Sequence, residues 1–89
     1  MPRLDSISEI KAKAEFYSRM REAYQLLGTW VLTSRYLGQS YATIMRWSAE
    51  THAPSREKRM VLSSRVAKLH RMTKARRADL ATSLSSHQD

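Results

Sequence analysis

Apolar side chains recur along most of this chain at helical spacing, and short polar interruptions divide them into blocks. Between Ile10 and Leu27 two adjoining stripes run side by side. Ile10, Ala14, Tyr17 and Tyr24 form one; Phe16, Met20, Ala23 and Leu27 form the other. A period near 3.6 residues marks an amphipathic helix. Ser6, followed three residues later by Glu9, has the form of a capping box, in which hydroxyl and carboxylate satisfy free amides reciprocally. The expected first helix covers residues 7–27, with Gly28 as its left-handed C-terminal cap. Thr29 can cap a second helix, Trp30 to Leu37, ended by Gly38; Ser40 can cap a third, Tyr41 to Ala49. Pro54 disfavours helix at Ala53, and Ser55 can cap the next helix. From Arg56 to Leu84 neither Gly nor Pro intervenes. The stripe Leu62, Val66, Leu69 is interrupted at Thr73 and Arg76 and resumes at Leu80 and Leu84. That fits one long helix or two parted near residues 70–73. Residues from Ser85 onward are expected to fray.

Composition removes the alternatives to helix. Two glycines, two prolines and no asparagine in 89 residues are too few for the tight turns of a small sheet. The expected fold class is all-α: a four- to five-helix bundle containing a helix-turn-helix, with an extended C-terminal helix. One domain over residues 1–89 accommodates it. With no cysteine the chain forms no disulfide and offers no thiolate to a metal. Arg3, Asp5 and Glu9 interrupt any signal-peptide core, and no apolar run approaches membrane-spanning length. A soluble, cytoplasmic protein is the expectation.

Charge is concentrated. Residues 56–77 hold nine basic groups against Glu57 alone, while the other 67 residues carry seven of each sign. The whole net charge of +8 therefore lies in the C-terminal helical region, 55–84. Spread around the helix axis, these cations fit either a solvated helix or one that tracks phosphates.

Two short helices joined at Gly38, the second opening with a serine, suggest a helix-turn-helix. Such a unit needs a permissive turn residue, which Gly38 supplies, and a small residue where the helices approach, which Ser34 supplies. Leu37, Ile44 and Trp47 are expected to be buried, with Trp30 as further core. Tyr41, Ala42, Met45, Arg46 and Ala49 are then left facing outward.

The stretch Leu37-Gly38-Gln39-Ser40-Tyr41-Ala42-Thr43-Ile44-Met45-Arg46-Trp47, with Pro54-Ser55 beginning seven residues past the tryptophan, resembles the phage repressor/Cro-type helix-turn-helix family. The likeness covers roughly residues 16–70. It departs at Gln39, where an aliphatic residue is usual, at Trp30, where a contacting Gln is frequent, and at Ser34, where Ala is common. Glu50 stands for a frequent Gly and Ser48 for a frequent Glu, so a different loop shape before Pro54 is expected. The resemblance implies a bacterial or phage-encoded, nucleoid-associated regulator of transcription, most simply a repressor, that binds double-stranded DNA as a homodimer.

Within that reading Arg46 can grip guanine bidentately or clamp a phosphate, while Tyr41, Ala42 and Met45 offer mainly apolar contact. Thr29, Gln39, Ser40 and Thr43 belong to capping and backbone phosphates. Arg65 and Lys68 are candidate phosphate contacts from the basic region. Leu80 and Leu84, read as lying beyond the domain's own core, are candidates for the dimer seam, with Phe16 and Met20 next. His52, His70 and His87 are 18 and 17 residues apart, with no carboxylates at ligand spacing. No metal, cofactor, small-molecule substrate or catalytic group is expected. Two other classes fit the same residues: an oligomeric adaptor or assembly protein, such as a small terminase-like or transposon-accessory subunit, and a non-specific nucleic-acid binder.

Overall fold

A computed structural model describes residues 4–86 as five helices in the order α1 (Leu4–Leu27), α2 (Trp30–Leu37), α3 (Tyr41–Ser48), α4 (Arg56–Arg71) and α5 (Lys74–Ser86). Among the described residues there is no strand. The all-helical reading holds, and the boundaries of α2 fall where the caps placed them.

The first correction is at the start. α1 begins at Leu4, so Ser6 lies inside the helix and not at its cap. Glu9 instead reaches across to α4, where its Oε1 accepts from Arg59 Nη2 at 3.0 Å. Gly28 ends α1 with φ +95°, its N–H donating to Tyr24 O at 2.7 Å. The C-terminal region is two helices. Met72 leaves helical conformation, and Thr73 Oγ1 accepts the Arg76 N–H at 3.2 Å to open α5. Arg77 closes the break from the other side, donating to the carbonyls of Leu69 and Met72 at 3.2 and 2.6 Å. These are the carbonyls that a helix end leaves without partners. Ser85 and Ser86 are helical, not frayed; His87 lies outside the described residues.

α1 packs against each of the other four helices, and α2 also packs on α3 and α5. The core draws Phe16, Met20, Ala23 and Leu27 from α1, Leu37 from α2, Ile44 and Trp47 from α3, and Leu62, Val66 and Leu69 from α4. Each large apolar side chain buried there is worth about 1.5–3 kcal/mol. Phe16 and Trp47 meet edge-to-face with centroids 5.1 Å apart, a pairing that adds about 0.5–1.5 kcal/mol. Trp30 is not core. It lies half-buried at the rim, tilted over Tyr24 at 4.6 Å. Phe16 and Met20 are fully committed to the core and offer no surface for a second chain.

Candidate nucleic-acid interface

α2 and α3 are eight residues each, joined through Gly38, Gln39 and Ser40. The turn is set by local chemistry. Thr29 Oγ1 accepts the Leu32 N–H at 3.1 Å and starts α2. Gly38 ends it at φ +68°, a left-handed conformation that glycine adopts without penalty. The Gly38 and Gln39 N–H groups bond back to Arg35 O and Ser34 O, satisfying the last carbonyls of α2. Ser34 and Thr33 are buried without strain on hydrogen bonding, since their hydroxyls donate to Val31 O and Thr29 O.

Ser40 opens α3. Its Oγ accepts the Thr43 N–H at 3.2 Å and donates to Thr43 Oγ1 at 2.8 Å. Because the serine proton is used there, the Thr43 hydroxyl keeps its own proton for an outside acceptor. The N–H groups of Tyr41 and Ala42 precede the first intrahelical bonds. Together with the positive end of the helix dipole they favour an anion.

The two faces of α3 differ sharply. Ile44 and Trp47 are buried, and Trp47 Nε1 donates to His52 O at 2.9 Å, so the indole satisfies its polar atom inside the fold. Tyr41 is 51% exposed, and Ala42, Arg46 and Ala49 are exposed beside it. Met45 departs from expectation. It is half-buried against the core, so apolar contact on the outer face falls to Tyr41 and Ala42. Gln39 is also half-buried, its Nε2 donating to Leu37 O at 3.2 Å inside the turn.

Beyond α3 the chain keeps a left-handed residue at Glu50, φ +61°, the conformation a glycine would favour there. The Thr51 N–H and hydroxyl, both 2.9 Å from Arg46 O, close the helix end. Glu50 also faces Arg21 at 3.5 Å.

Of the basic residues expected to meet phosphates, Lys68 is exposed on α4. Arg65 is engaged within the fold: its Nη1 donates to Leu37 O at 3.3 Å, against the turn. In return Tyr36 Oη donates to Arg65 O at 2.7 Å. Burial raises the pKa of that phenol despite the opposing charges of Arg65 and Arg71, which keeps it a donor. Two cations missed in the sequence have defined places. Lys58 Nζ lies 5.9 Å from the centre of the Trp47 ring, which puts a positive charge beside α3. Arg59 is only 6% exposed; it donates to Pro54 O at 2.8 Å as well as to Glu9. The signal for Arg59 was present, because 59, 62, 66 and 69 continue the buried stripe of α4 at helical spacing.

Leu80 and Leu84 do not stand clear of the core. Both are half-buried, Leu80 packs on the core cluster, and Leu84 O accepts from Arg35 Nη1 at 2.8 Å. α5 folds back over α1 and α2 because its leucines find apolar neighbours in their own chain. The largest concavity among the described residues, about 570 Å³, is lined by α1 and α4 residues alone and lies apart from the α2–α3 unit. No group of His, Cys, Asp and Glu among the described residues is arranged to hold a metal ion, and no described helix is long and apolar enough to cross a membrane. No protein-family model, curated protein or solved structure matches the chain.

Proposed function

We propose that this chain is a sequence-specific double-stranded DNA-binding protein, a small transcriptional repressor that lays α3 in the major groove. The two-sidedness of α3 carries the reading. Ile44 and Trp47 fix the helix rigidly from below, while Tyr41, Ala42 and Arg46 stand exposed on the side a groove would meet. The major groove admits one α-helix, and an arginine there can donate two hydrogen bonds to guanine. The uncommitted amides at the start of α3 and the Thr43 hydroxyl suit a backbone phosphate. The net charge of +8 supplies the sequence-independent attraction. One such helix reads few base pairs, so two copies on half-sites about 34 Å apart complete a useful operator.

Selection from a pool of random duplexes tests this directly. A defined, two-fold symmetric motif is expected. Arg46→Ala should then weaken binding to the selected site by about 1–3 kcal/mol and relax preference at one base pair, with unfolding stability unchanged. Enrichment of no motif, at an affinity set by salt alone, would return the protein to non-specific binding. Unchanged affinity of a folded Arg46→Ala variant would remove α3 as the reading helix.

A further inference from the structure

The first three turns of α1 stand apart from the rest of the bundle. From Ile7 to Glu15 every described side chain is exposed except Ala12, which is half-buried, and the inward-facing core of α1 begins only at Phe16. Glu9 makes the cross-helix bond of this arm, to Arg59. A helical segment this short is marginal in water unless something packs on it.

One flank of the arm is apolar. Ile7, Ile10, Ala14 and Tyr17 succeed one another at spacings of three, four and three, the seam of a paired helix and not of a solvated one. Ile7 is 45% and Ile10 68% exposed. Carried further, the same repeat reaches Arg21 and Tyr24.

We infer that this flank is the homodimer seam, covered by the same flank of a second copy running antiparallel to it. The inference concerns assembly alone and stands whether or not α3 reads DNA. Two registers keep the repeat aligned. One would set Arg21 of the second copy against Ile10, burying a charge on an apolar side chain. The other sets the small Ala14 of the second copy against Ile10, and its Tyr17 against Ile7, so that large meets small at the centre. That register also brings Lys11 of each copy toward Glu15 of the other, two opposite-charge pairs related by the two-fold axis. Leu80 and Leu84, by contrast, already have neighbours in their own chain.

Light scattering of the full chain without DNA, at about 50 μM, a concentration at which an interface of micromolar strength is filled, should give twice the mass of 10.3 kDa. Ile10→Asp should return it to one chain, with helicity and melting unchanged because the position is exposed. Lys11→Glu and Glu15→Lys should each weaken the dimer by about tenfold through like-charge contacts made twice. The double reversal K11E/E15K should restore it. A monomeric wild type, a dimer that survives Ile10→Asp, or a double reversal as weak as its parents overturns the seam. None of these masses depends on the Arg46 experiment, so the two readings fail separately.

Discussion

In α2 and α3 the polar side chains satisfy the backbone of their own unit, whereas in α4 and α5 the arginines reach across to other elements. Thr29, Ser40 and Gln39 all bond within four residues of themselves. Arg59, Arg65 and Arg77 run instead to carbonyls five to 28 positions away in sequence. The two behaviours have one cause in side-chain length. A short hydroxyl can reach only the next turn, while a guanidinium with five donors on a long stem can close helix ends that local chemistry leaves open. A count of positive charge in residues 56–77 therefore overstates what is free for a polyanion. Arg56, Lys68, Arg71, Lys74 and Arg76 are exposed; Arg59, Arg65 and Arg77 hold the bundle together.

Removing Arg59 should break this arrangement most. Arg59→Ala leaves a cavity beneath α1 and deletes two charge-assisted bonds, to Pro54 O and to Glu9. Glu9 is half exposed and regains water, so no buried charge is stranded. A loss of about 2–3 kcal/mol is expected, from hydrogen bonds of this type plus lost packing. Urea unfolding checks it, and a loss within about 0.5 kcal/mol, as on an ordinary surface, would place Arg59 among the solvated cations.

The same contrast explains which parts of the molecule were legible in the sequence. The caps at Thr29, Gly38, Ser40 and Ser55 were legible, because each depends on residues within one turn of it. So were the buried Leu37, Ile44 and Trp47, whose spacing fixes one face. The cap at Ser6 was misplaced because a capping box is also compatible with the interior of a helix when Glu9 finds a distant partner. The break at Met72 and Thr73 stayed open because Arg77 completes it from α5 with bonds that no local pattern announces. Leu80 and Leu84 were misread for a related reason: whether an apolar edge is covered depends on where α5 folds, and the sequence pattern is silent on that. Met45 sits on the border between the two faces of α3, where an eight-residue helix leaves little angular margin.

Arg65 and Lys68 sharpen the comparison, since they lie three residues apart on α4 with different fates. Arg65→Ala should cost about 1 kcal/mol of stability, because the Leu37 carbonyl loses its donor at the turn. Lys68→Ala should leave stability within about 0.5 kcal/mol. On DNA, Lys68→Ala should reduce the slope of log affinity against log salt by about one if it meets a phosphate. Chemical denaturation and a salt titration on both variants separate the two roles. Equal stability losses would mean that Arg65 is no more structural than its neighbour, and the distinction drawn across the basic helices would collapse.

The smallest effect is expected where α1 meets α4 through an acid and not through an arginine. Glu22 takes a hydrogen bond from His70 Nε2 at 2.6 Å and pairs with Arg19 on its own helix. Burial by itself would push the carboxyl pKa up. The hydrogen bonds and charges of His70 and Arg19 outweigh it and hold Glu22 below its ordinary 4.5. A carboxyl that releases its proton more readily folded than unfolded stabilises the fold above its ordinary pKa, and that contribution is lost as pH falls through the folded value. The stability difference between wild type and Glu22→Gln should therefore be largest above pH 4.5 and shrink on further acidification. Urea midpoints measured stepwise between about pH 6 and pH 3 track the window set by that linkage. A difference that grows as the solution is acidified would show that Glu22 is held in its neutral form by burial, and that the bridge to His70 contributes nothing to joining α1 and α4.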